Sequence, residues 1–131
     1  MEDVKINVKM KLAALWVALM FFYTYGDILG FYNPGNIEEL ISGEIAGALL
    51  TQELLLGMAI LMGIPIFMIF LSLTLKARVN RWANIVVGIV QGITLGSTFW
   101  VGEITAYYAV IAISEAVLIA LIVWYAWKWP K

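Results

Sequence analysis

Four long apolar runs constrain this chain more than any other feature of its sequence: Leu12–Phe31, roughly Leu49–Leu75, Trp82–Val101 and Ile104–Trp127. At ~1.5 Å per residue, each can cross the ~30 Å hydrocarbon core of a bilayer. A segment at that depth has no water to satisfy its backbone, so it must cross as a helix. The expected fold is therefore all-α: an integral membrane four-helix transmembrane bundle, up-down-up-down, forming a single membrane domain over residues 1–131. Helices are expected at about 12–31, 49–75, 82–101 and 104–127.

Composition agrees, since 63% of the 131 residues are hydrophobic and only 13% are charged, far from a soluble globular domain. The net charge of -1 leaves no basic field for nucleic acid. With neither Cys nor His, disulfides, thiolate or imidazole metal sites, His-ligated haem and Ser-His or Cys-His nucleophiles are excluded. No cofactor or metal is expected. An enzyme is not expected either, because carboxylates without His, Cys or a membrane Lys offer little general-base chemistry. The amino-terminal run follows Lys5, Lys9 and Lys11 as a signal peptide would, but it is too long and lacks a small-x-small cleavage site, so it reads as a retained helix.

The basic residues set the orientation. Lys5, Lys9 and Lys11 precede the first run, Lys76, Arg78 and Arg81 lie between the second and third, and Lys128 and Lys131 follow the fourth. The other two connections contain none, so both termini are expected in the cytoplasm. Trp82, Trp124, Tyr125, Trp127 and Trp129 then mark the inner interface, and Trp100, Tyr107 and Tyr108 the outer one.

The first connection opens on the turn residues Asn33-Pro34-Gly35. It then offers either a short interfacial helix, with Ile37, Leu40 and Ile41 opposite Glu38 and Glu39, or a solvated acidic loop. The third connection, at Gly102 and Glu103, is short enough to make a tight hairpin. Positions equidistant from it should share a depth, which pairs Gln91 with Glu115. Small residues recur every four positions on both helices of this hairpin: Gly88, Gly92 and Gly96, continuing Asn84, on one, and Ala112, Ala116 and Ala120 on the other. Such stripes permit close backbone approach.

Glu115 stands alone in the middle of the fourth run. An ionised, unpaired carboxylate in low dielectric costs several kcal/mol, so it is expected to be neutral, cation-bound or hydrated. Gln91 is its expected hydrogen-bond partner, and a carbonyl freed by Pro65 near Leu61 is a second possible acceptor. Counting ~1.5 Å per residue from the inner ends gives heights of about 18 Å for Glu115, 22 Å for Asp27 and 33 Å for Glu53. Asp27 is then a second acidic station or a capping residue. Glu53 with Gln52 forms either an outer entrance or a solvated helix start.

The stretches Lys11-Leu12, Leu15-Trp16, Met20-Phe21, Tyr25-Gly26-Asp27, Ile64-Pro65, Met68–Ser72, Val79-Asn80-Arg81-Trp82 with Asn84-Ile85, and Leu121–Pro130 resemble an uncharacterised bacterial family of small four-helix membrane proteins. The Asn-Arg-Trp and terminal Trp-rich motifs are the most specific parts. The resemblance implies this topology and a bacterial plasma membrane, multi-pass, and assigns no residue a role.

Two functions remain open on the sequence. The first is a proton-linked or cation-binding small-molecule transporter, a homo-oligomer in membrane lipid, exchanging at Glu115 with Gln91 and Asp27. The second is a helix bundle that binds a lipid, quinone or sterol-like ligand among Tyr23, Tyr25, Phe67 and Trp100, or serves as an accessory structural subunit.

Overall fold

The computed structural model describes residues 2–45, 47–99 and 105–129. The elements in chain order are α1 (Val8–Tyr32), α2 (Asn36–Ile41), β1 (Glu44–Ile45), β2 (Ala48–Leu49), α3 (Gln52–Thr74), α4 (Ala77–Thr98) and α5 (Ala106–Trp127). Helices α1, α3 and α5 are long and apolar enough to cross a membrane. Helix α4 matches them in length, but Asn80, Asn84 and Gln91 dilute its apolar character and are all buried. Trp100 and the Gly102–Glu103 connection lie outside the described residues.

Two of the long helices, α1 and α3, start at a side-chain cap rather than where apolarity begins. The Asn7 side chain accepts the Lys9 amide at 2.9 Å and starts α1 at Val8, ahead of the expected Leu12. Thr51 does the same for α3, accepting from the Leu54 amide at 3.1 Å. Helix α4 begins at Ala77, about one turn before the apolar run. The acidic connection contains both the short helix α2 and a small antiparallel β1–β2 pairing, Glu44 with Leu49 and Ile45 with Ala48. Gly43 and Gly47, at φ +87° and +81°, supply the left-handed turns that this reversal needs.

Helix α1 is one corner of the four-helix arrangement, diagonal to α4. It packs against α3 on one side and α5 on the other, and α5 packs against α4, while α3 and α4 touch over a smaller area. The core they share is Leu12, Trp16 and Leu19 of α1, Met68 of α3, Ile85 of α4, and Ile119, Ile122 and Ala126 of α5. Pro65 is buried inside a continuous α3. Most other large apolar side chains face outward, among them Phe67, Phe70, Ile93, Val110 and Ile113. Burial in water would be wasted on such a surface, whereas lipid meets it without penalty.

The Asn80-Arg81-Trp82 segment closes two helix ends at once. Asn80 Nδ2 donates to the carbonyls of Ser72 (2.7 Å) and Leu75 (3.3 Å), covering orphan acceptors at the end of α3. Arg81 Nε and Nη2 donate to the carbonyls of Ala126 (3.1 Å) and Trp127 (3.2 Å), doing the same for α5. The guanidinium carbon sits 5.4 Å from the rings of both Trp82 and Trp127, so charge, fork geometry and aromatic faces hold it together.

Candidate functional site

Polar groups meet inside the bundle in two rungs that join α1 to α4. Trp16 Nε1 donates to Asn84 Oδ1 at 2.7 Å, and Tyr23 Oη donates to Gln91 Oε1 at 2.8 Å. Both pairs are separated by 68 positions, because aromatic donors one heptad apart on α1 face amides one heptad apart on the parallel α4. The inner rung is fully connected. Ser72 Oγ also donates to Asn84 Oδ1 (3.2 Å), and Asn84 Nδ2 donates to Asn80 O (2.9 Å) and Oδ1 (2.6 Å). The indole N–H can only donate, so it fixes which end of the Asn84 amide faces α1.

The outer rung is incomplete. Gln91 is 2% exposed, and its Nε2 has no hydrogen-bond partner among the described residues. Glu115, expected to supply one, makes no hydrogen bond among the described residues. The reason is register. Gly88 faces Ile122 and Val123, and Gly92 faces Ile119, so α5 is displaced from the equidistant pairing and Glu115 lies about one turn nearer the α4–α5 connection than Gln91. Against α1, Gly26 meets Ile111 and Lys11 meets Tyr125. That alignment puts Glu115 beside Tyr23 and leaves Asp27 about one turn further out.

Glu115 is 8% exposed, whereas Asp27 lies on the exposed surface of α1. The sequence Asp27, Glu115, Tyr23, Gln91 thus runs from the surface into the bundle. Leu19, Ile85 and Ile119 belong to the apolar core that also holds Trp16 of the inner rung. Gln52 and Glu53 are exposed in the first turn of α3, where a carboxylate favours the positive helix end; they stand apart from this column. Tyr25 and Phe67 are exposed and Tyr23 belongs to the interior column, while Trp100, the fourth aromatic residue proposed for a ligand pocket, lies outside the described residues. Glu115 lines none of the three clefts of about 580, 650 and 270 Å³. Among the described residues, no three acidic side chains cluster to hold a metal ion.

The small-residue stripes pack only at one end. A Cβ on Gly88 would stand 2.8 Å from Val123 Cγ2, on Gly92 3.6 Å from Ile119 Cγ2, and on Gly96 would meet no atom of another described element within 4 Å. Ala112 is buried, but Ala116 and Ala120 are exposed. An i, i+4 stripe drifts ~40° around a helix at each step, so the stripes diverge from the contact and instead line an apolar groove of about 650 Å³ between α4 and α5.

Sequence reasoning missed the Trp16–Asn84–Ser72–Asn80 network and the Tyr23–Gln91 bond. The signal was present: Asn80, Asn84 and Gln91 share one face of α4, and Trp16 and Tyr23 share one face of α1. No characterised protein and no solved structure is similar to the chain. A sequence profile matches it over residues 2–131, and by that match the chain belongs to DUF6326, a family of unknown function.

Proposed function

We propose that this chain is a four-span plasma-membrane protein that moves protons, or a small cation in exchange for them, through Glu115. Both termini face the cytoplasm in this reading, and α4 crosses with the other three long helices by turning its amides inward. The observation that carries the proposal is the state of the Glu115 carboxyl: buried, with no hydrogen-bond partner among the described residues, at the level of Tyr23 and about one turn inward of Asp27. A group placed so has no structural bond to lose when it gains or releases a cation. Asp27 is the outer station, Tyr23 and the free Gln91 amide are the inner relay, and the Leu19–Ile85–Ile119 layer blocks the inner side. Transport requires that layer to open in alternation.

A homo-oligomer fits the exposed position of Asp27. A carboxyl on the lipid-facing surface of a membrane helix is costly, and a second copy that covers it would supply a polar interface. The ligand-bundle reading has less support, because two of its aromatic residues face outward.

Proteoliposomes loaded with a pH-sensitive dye and given a potassium diffusion potential test the proposal. Voltage-driven acidification is expected for the native chain, its loss for Glu115→Gln, and a reduced rate for Asp27→Asn, with helicity unchanged in both. Equal rates for native protein and Glu115→Gln would overturn it.

A further inference from the structure

Three lysines from opposite ends of the chain line one cleft. Lys5, Lys11 and Lys128 surround a space of about 580 Å³ together with Ile6, Asn7, Val8, Trp124, Tyr125 and Trp129, and no carboxylate among the described residues lines it. Lys11 Nζ is held 5.4 Å from the Tyr125 ring centre, and the Trp124 and Tyr125 rings meet edge to face at 4.9 Å. The lysines are not needed to neutralise the carbonyl end of α5, because Arg81 already bonds the Ala126 and Trp127 carbonyls. This cleft also has a neighbour. Trp124 lines both it and the apolar groove of Gly88, Gly92, Gly96, Ala116 and Ala120.

The two spaces match one molecule in charge and in length. From Ala116 to Trp127 the groove runs ~16 Å along α5, about half the ~30 Å hydrocarbon thickness and hence the depth of one leaflet. Its walls are Ile89, Leu95, Phe99, Ile119 and Val123, and the absence of side chains at its glycines gives it depth. We infer that the cleft and groove together bind one anionic phospholipid of the leaflet at the lysine-rich end, its phosphate among Lys5, Lys11 and Lys128 and one acyl chain between α4 and α5. Trp124 stands at the junction of headgroup and chain, where an indole is best accommodated. The inference shares with the proposed function only the embedding of α4 and α5 in a membrane; it does not depend on Glu115.

Native mass spectrometry of the detergent-purified full chain, titrated with dioleoyl phosphatidylglycerol and with the zwitterionic dioleoyl phosphatidylcholine, tests it. The native chain is expected to retain one phosphatidylglycerol with about tenfold preference, the scale expected of a few surface lysines facing an anionic headgroup. Lys5→Gln/Lys11→Gln/Lys128→Gln should abolish the preference, while Lys9→Gln/Lys76→Gln/Arg78→Gln, with the same change of charge, should keep it. Gly96→Leu/Ala120→Leu fills the groove from open positions and should release both lipids. Equal preference in the two charge variants, or none in the native chain, would overturn the assignment. Displacement of the lipid by millimolar inorganic phosphate would overturn the lipid as occupant and assign the lysines to free phosphate.

Discussion

Replacing Asn84 by Leu removes the hub of the inner rung while keeping side-chain volume close. The change strips the Trp16 indole and the Ser72 hydroxyl of their shared acceptor, and Asn80 Oδ1 of a donor. Interhelical hydrogen bonds in membranes average ~0.6 kcal/mol and reach ~1.7 kcal/mol, so two of them predict a loss of about 1–3 kcal/mol. Trp16→Phe removes one of the two but also loses ring volume, so neither single variant isolates the bond. The double-mutant cycle does, because packing losses cancel between its two sides. Unfolding by sodium dodecyl sulfate, followed by far-ultraviolet circular dichroism, should give a Trp16–Asn84 coupling of about 0.6–1.7 kcal/mol. A coupling below about 0.3 kcal/mol, the usual scatter for independent sites, would refute the rung as an energetic link between α1 and α4.

The glycines of α4 should separate in the same assay: Gly88→Ala, whose Cβ meets Val123 Cγ2 at 2.8 Å, should cost about 1–3 kcal/mol, whereas Gly96→Ala should leave stability unchanged or raise it. Tyr23→Phe should cost about 1 kcal/mol by leaving both ends of the buried Gln91 amide unbonded. Arg81→Lys should lower the thermal midpoint nearly as much as Arg81→Gln, because an ammonium cannot reproduce the fork that spans the Ala126 and Trp127 carbonyls. A cysteine introduced at Asn36 should react with an impermeant reagent from outside intact cells, and one introduced at Lys128 should not; the reverse pattern would invert the topology.

Helix existence was legible in the sequence because a membrane leaves no alternative for a long apolar run. Glu115, Gln91 and Asp27 were legible for a related reason, since an acid or amide inside such a run must be given a place. Which groups met could not be read from depth alone. The equidistant pairing of Gln91 with Glu115 assumed that the hairpin helices stay level, but Gly88 and Gly92 seat against Ile122, Val123 and Ile119 and shift α5 along the axis. The heptad spacing of Trp16 and Tyr23 against Asn84 and Gln91 carried the true pairing, yet it becomes informative only once α1 and α4 are known to run parallel across the bundle diagonal. Helix starts at Val8 and Ala77 fell outside the apolar runs because caps and lysine stems tolerate water. The role of Asn80 and Arg81 depended on where the ends of α3 and α5 lay, which no local pattern supplies.

Transport by this route requires the Glu115 carboxyl to change its protonation or cation occupancy inside the folded bundle. Infrared difference spectroscopy of the lipid-embedded chain measures this directly, with Glu115→Gln as the reference for assigning its band. The account predicts a carboxyl band, missing from Glu115→Gln, that disappears as pH is raised or as a monovalent cation is added, while the amide bands of the helices stay constant. A native spectrum identical to that of Glu115→Gln across the whole titration would contradict it.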